Sequence, residues 1–279
     1  MTNTIKRLIL FSIAIPSLSA LILLLPQQGH LAVILLLVVV GALCGLELRS
    51  MLARVARPIP HIIALLPALS PLVAWAVGMG WMPSGIATAL FVFLVLWALS
   101  DAAFVPSGEI TSGVMRVGTR LLMVMYPTWC LWWTAKITWF PQAGLHLMVF
   151  MLCVFLNDSA AWLFGVLFGK HRGFVAVSPN KSLEGFAGGI FASVVVMCGA
   201  AFILPQLYSA PLWQSILYGI ALGVASILGD LTESALKRSV GVKDSGNVIL
   251  GRGGMLDSVD SILLAAPIFV LYLQAAIVS

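Results

Sequence analysis

Nine apolar stretches, each long enough to cross a bilayer, divide the 279-residue chain at about 8–25, 31–48, 61–79, 83–104, 121–139, 144–168, 187–204, 213–236 and 258–278. A spanning helix needs roughly 20 such residues, and backbone in lipid must satisfy its own hydrogen bonds, as helices do. The expected fold class is therefore all-α: a polytopic integral membrane protein with about nine transmembrane helices. Charge agrees, since charged residues make up only 9% of the chain against about 25% in soluble domains. The fifth run is the weakest, because Lys136 and several aromatics interrupt it. The first run, after Lys6 and Arg7, has no small-x-small cleavage site over 21–26 and is followed by further spans. It reads as a first spanning helix, not a signal peptide.

Orientation follows from the basic residues. Lys6 and Arg7, then Arg49, Arg54 and Arg57, then Arg116 and Arg120, then Lys170, Arg172 and Lys181, and finally Lys237, Arg238, Lys243 and Arg252 fall on alternate loops. Lys136 is the exception. The positive-inside rule puts these loops and the N-terminus in the cytoplasm. The expected location is the inner membrane of a bacterium, and the net charge of +5 is a topology signal, with no nucleic-acid partner implied. Cys44, Cys130, Cys153 and Cys198 lie singly in apolar runs and read as buried hydrophobes. His30, His61 and His146 sit at span ends or turns without an acidic neighbour in sequence and read as structural.

The acids ask for more than topology. Glu47, Asp101, Glu109, Asp158, Glu184, Asp230, Glu233, Asp244, Asp257 and Asp260 all map to the same side as the basic loops, although acids contribute little to orientation. A polar reaction site open to the cytosol would explain this. Two segments concentrate the polar residues. The first holds Asn157 and Asp158 inside the sixth run, then a basic, glycine-rich loop through Ser178, Lys181 and Glu184. An ionisable residue within a span marks a functional cavity more often than a packing contact. The second runs from Gly229-Asp230 through Glu233, Lys237, Arg238, Lys243, Asp244 and Gly251-Arg252-Gly253-Gly254 to Asp257 and Asp260. On a helix, Asp257 and Asp260 share a face, as do Asp230 and Glu233. Carboxylates beside Lys, Arg and glycine suit holding Mg²⁺ against a polyphosphate.

These residues resemble the phosphatidate cytidylyltransferase (CDP-diacylglycerol synthase) family. The likeness rests on Ser234-x-x-Lys237-Arg238-x4-Lys243-Asp244-x-Gly246 and Gly251-x-Gly253-Gly254-x-x-Asp257-x-x-Asp260. It extends to Gly229-Asp230-x-x-Glu233, and to Asp158 with Ser178-Pro179-x-Lys181-Ser182-x-Glu184-Gly185. It covers roughly 157–265, so the chain divides into N-terminal spans, 1–140, and a motif-bearing catalytic region, 141–279. The resemblance implies attack by the phosphate of phosphatidic acid on CTP, giving CDP-diacylglycerol and pyrophosphate. It assigns metal to Asp230, Asp244, Asp257 and Asp260, and catalysis to Asp230, Lys237, Asp257 and Asp260. Substrate binding goes to Asp158, Ser178, Lys181, Glu184, Lys237, Arg238, Lys243 and Arg252. It also implies Mg²⁺, with a second cation as an option, and a homodimer.

The chain departs from the family pattern. Leu250 and Arg252 replace the usual Pro and His of Pro-Gly-His-Gly-Gly, and Ser258 follows Asp257 where an Arg is usual. Gly165-Val166-Leu167-Phe168-Gly169 lacks the family's Arg, and Trp162 stands for a Tyr. These changes leave open a related nucleotidyl or phospho-group transferase acting on another substrate. A transporter also places acids within spans, and an inactive scaffold would keep the motif without the chemistry. One-sided acids count against the transporter.

Overall fold

A computed structural model describes residues 3–104, 112–249 and 251–278; Glu109 and Leu250 lie outside them. The described residues are helical, with no strand among them beyond isolated bridges at Arg172–Ser182 and Ile249–Gly253. Five helices are long and apolar enough to cross a membrane: Gln27–Leu52 (α2), Ala143–Phe168 (α8), Leu183–Ile203 (α9), Leu212–Ser239 (α10) and Leu256–Ala276 of the last helix. Three shorter apolar helical segments, Ser12–Leu24, Leu66–Gly78 and Ser84–Ser100, coincide with other runs. Large apolar side chains such as Phe93, Trp162, Phe191 and Phe202 point outward, as an integral membrane protein requires of a lipid-facing surface.

The chain packs as two compact units. The first comprises Met1–Trp139 and Ser239–Ser258, the second Phe140–Arg238 and Val259–Ser279.

In the first unit, α1 (Asn3–Leu24) and α2 are followed by α3 (His61–Ala64), α4 (Leu66–Gly78), α5 (Ser84–Ser100), α6 (Gly113–Met123) and α7 (Cys130–Lys136). Small residues let helices approach in lipid: a Cβ on Gly41 or Gly45 of α2 would strike the backbone carbonyl of Pro67 or Ala64. The fifth apolar run is not one regular helix. It passes from the end of α6 through a π-helical turn, Val124–Trp129, into α7 and a 3-10 turn, Ile137–Trp139. Pro127 within the π turn, which lacks a backbone N–H, accounts for the break. Lys136, the basic outlier, lies over two indole rings, 4.7 Å from the Trp133 centroid and 5.2 Å from that of Trp139. A cation–π pair of this kind keeps an ammonium group among aromatics.

In the second unit, α8, α9, α10 and α11 (Leu256–Val278, of which Val259 onwards belongs to this unit) surround a core including the fully buried Phe150, Phe269 and Tyr272. Gly219 and Gly223 bring α10 against the backbone of Val194 and Ile190 on α9. Asn157, fully buried on α8, donates to Ser193 Oγ at 2.9 Å and to the Gly223 carbonyl at 3.4 Å. It ties three helices together, so this polar residue inside an apolar run is a packing residue.

Candidate active site

The sequence-predicted residues fall into two sets, one within each unit. In the second unit, the loop between α8 and α9 is braced by Arg172. Its guanidinium donates to the carbonyls of Gly165, Asn180 and Gly169 at 2.5, 2.9 and 3.2 Å. Five fixed donors in a planar fork suit this task, so this basic side chain serves the loop itself. Glu184 is also occupied locally: His171 meets its Oε1 through Nδ1 at 2.6 Å and donates its backbone N–H at 3.3 Å. Ser182 caps α9, its Oγ accepting the Gly185 N–H at 3.1 Å. Ser178 shapes the preceding turn by accepting the Lys181 N–H at its carbonyl.

This turn delivers Lys181 to α10. Its Nζ pairs with Asp230 Oδ2 at 2.5 Å, and Ser234 Oγ, one turn along α10, reaches Asp230 Oδ1 at 3.5 Å. The Lys181 and Asp230 side chains are 23% and 39% exposed, so the pair is partly buried, with Asp230 its more accessible member. Gly229 fixes what lies beside it, because a Cβ there would land on the Asp260 carbonyl. Asp260 is 6% exposed and its Oδ1 accepts the Ser261 N–H at 2.7 Å, while Ser261 Oγ donates to Asp158 Oδ1 at 3.4 Å. Gly229 and Ser261 thus pack the helix segments that carry Asp158, Asp230 and Asp260 against one another. Farther along α10, the fully buried Glu233 receives Lys237 Nζ at 2.5 Å. Lys237 and Arg238 form the last turn of α10, where cations offset the helix dipole.

In the first unit, the segment that returns between α10 and α11 is organised around carboxylates. Asp257, in the first turn of α11, uses Oδ2 to accept the N–H groups of Ser245 and Gly254 and the Ser245 Oγ–H, each at 2.8 Å. Gly253 has φ +105°, which L side chains rarely adopt, and a Cβ there would lie 2.8 Å from Asp257 Oδ2 and 3.1 Å from Asp244 Cβ. Asp244 and Asp257 therefore flank one glycine. Ser258 Oγ turns back to the Gly254 carbonyl at 3.2 Å, and Lys243 is exposed while Arg252 is half-buried.

The sequence reading missed Glu47. This α2 carboxylate is 8% exposed and accepts from Met255 N at 2.8 Å, Leu256 N at 2.9 Å and Ser245 Oγ at 2.9 Å. Its only sequence signal is an acid near the end of an apolar run.

Among the described residues, no three His, Cys, Asp or Glu side chains converge as a metal cage. The donor set fits a Mg²⁺ ion held by one or two carboxylates, with phosphate and water completing its shell, which is the usual arrangement for that ion.

A family model described as "Cytidylyltransferase family" matches residues 5–276. The chain belongs to the cytidylyltransferase family. As a family member it is 41% identical over 126 residues to a phosphatidate cytidylyltransferase of Staphylococcus haemolyticus, covering 45% of this chain and 48% of that protein. It is 40% identical over 126 residues, with the same coverage of each, to one from Staphylococcus aureus strain COL. An Escherichia coli K12 protein named "Uncharacterized protein YnbB" is 37% identical over 134 residues, 48% of this chain and 44% of that protein. This family member spans about half the length of the curated relatives it matches.

Proposed function

We propose that the chain transfers a cytidylyl group from CTP to phosphatidic acid, giving CDP-diacylglycerol and pyrophosphate. An oxygen of the lipid phosphate forms the new bond to the α-phosphorus of CTP. The bond from that phosphorus to the bridging oxygen of the pyrophosphate breaks, and the pyrophosphate leaves with the electron pair. The phosphate monoester is already anionic near neutral pH, so the reaction needs no dedicated general base.

The observation that carries this reading is the part-buried Lys181–Asp230 pair, on helix segments packed with those that carry Asp260 and Asp158, in a chain of this family. Asp230 and Asp260 are proposed as Mg²⁺ ligands alongside substrate phosphate; Asp244 and Asp257 are proposed as metal ligands on the strength of the motif resemblance alone. A bound Mg²⁺ would supply charge neutralisation at the polyphosphate. Lys181 would exchange its carboxylate partner for phosphate, a charge-assisted bond of the same kind. Lys237, Arg238, Lys243 and Arg252 are proposed to offset the remaining phosphate charge, with Ser178 and Glu184 shaping the loop that presents Lys181. Catalysis then rests on positioning and electrostatics.

The same reading has nine spans, a cytoplasmic N-terminus and a cytosol-facing site in a bacterial inner membrane, where soluble CTP and a membrane lipid meet. A homodimer is part of it on family likeness alone, and light scattering in detergent would show twice the chain mass.

Purified protein with labelled CTP, phosphatidic acid and Mg²⁺ should form a labelled CDP-lipid and pyrophosphate. No CDP-lipid, with product from another donor or acceptor, would replace this reading by a related transferase. That second reading is favoured by one observation: Ser258 is bonded back to Gly254 where the family pattern carries a cation.

A further inference from the structure

We infer that Glu47 is a positioning residue for the motif loop: from helix α2 it fixes the start of α11 and, through Ser245, the orientation of Asp257. The inference rests on the proposed cytidylyl transfer for its kinetic consequence, though not for its structural one.

The opening N–H groups of a helix have no partner within it. A side-chain oxygen just before the helix ordinarily supplies one, but the residue before α11 is Met255, which has none. Glu47 takes that place from more than 200 positions away in sequence, one oxygen accepting from Met255 N and the other from Leu256 N. A carboxylate is the favoured group at the positive end of a helix dipole.

The fit is tight enough to account for two glycines of the motif. A Cβ on Gly246 would lie 2.5 Å from Glu47 Oε1, and one on Gly254 would strike Glu47 Oε2 and Ser245 Oγ. These glycines leave room for a carboxylate that the motif itself does not contain.

Ser245 carries the constraint onward. Its Oγ lies 2.9 Å from Glu47 Oε2 and 2.8 Å from Asp257 Oδ2. A hydroxyl has one proton to donate, so the two carboxylates share a single O–H. Asp257 Oδ2 is held in place by two backbone N–H groups as well. Glu47 therefore sets both where Asp257 sits and how much hydroxyl density it receives.

Glu47→Gln tests this. Its amide offers one acceptor oxygen where two backbone donors need one each, so it turns an N–H towards an N–H. In full-length protein, hydrogen–deuterium exchange should rise in peptides covering 245–257 and stay at wild-type level in α8 and α9. Turnover per folded enzyme should fall about 10- to 100-fold, the usual cost of losing a group that orients a ligand, with KM for CTP changed much less. Glu47→Asp, one methylene shorter with the charge kept, should recover part of the turnover. It also serves as the test if the Gln variant does not fold.

Unchanged exchange at 245–257 overturns the anchoring. Raised exchange with wild-type turnover per folded enzyme overturns the positioning role and leaves a purely structural cap. If the wild-type protein itself makes no CDP-lipid, the functional reading fails instead, and the exchange result alone decides whether Glu47 anchors the loop.

Discussion

Asp230 and Asp257 are both motif carboxylates, yet they are held in opposite ways. Asp257 is gripped by backbone N–H groups and a buried serine, with Glu47 behind it. Asp230, partly exposed, meets a lysine ammonium and a serine at the limit of bonding distance. Backbone donors cannot leave without unfolding the loop, whereas a lysine side chain can swing to a phosphate and let a cation take its place. The first carboxylate is suited to fixing geometry and the second to exchanging partners during a reaction.

Substitutions can break that contrast. The largest effect is expected for Asp230→Asn, which keeps the shape and removes the charge. Cytidylyl transfer should fall about 10²–10³-fold, the scale for losing one preorganised electrostatic group, with the protein's melting temperature unchanged. Gly254→Ala comes next, because its methyl strikes Glu47 and Ser245. Overpacking of this kind costs about 1–3 kcal/mol, and both thermal melting and turnover should drop. Ser245→Ala removes the shared hydroxyl and should slow transfer about tenfold, on the scale of a hydrogen bond to a charged group. Ser234→Ala should change turnover by about 2-fold at most, since a neutral contact at 3.5 Å is worth little. If Ser234→Ala proved as damaging as Asp230→Asn, the picture of a loosely held Asp230 would be wrong.

Much of the fold was legible because membrane helices announce themselves through composition. Every apolar run coincides with helix, and the run interrupted by Lys136 is the one broken by a π turn. The motif letters named Asp230, Asp257 and Asp260 as candidates. What the pattern could not give was partnership. Arg172 and Lys181 look alike in a basic loop, and only the folded chain shows that one binds carbonyls while the other reaches Asp230. Asn157 and Asp158 are adjacent, but helical rotation turns the first towards Ser193 and Gly223 and the second towards Ser261. Glu47 was recognisable only as one of ten one-sided acids, because nothing local in sequence links it to Ser245.

That separation has a consequence for how the protein is made. Glu47 and Ser245 are 198 positions apart, so a ribosome working at about 5–20 residues per second finishes the carboxylate roughly 10–40 s before the serine exists. During that interval α2 enters the membrane carrying an acid whose partners have not yet been synthesised. The capping contact is consequently among the last to form, and a nascent chain stalled before residue 245 would hold Glu47 with none of those partners.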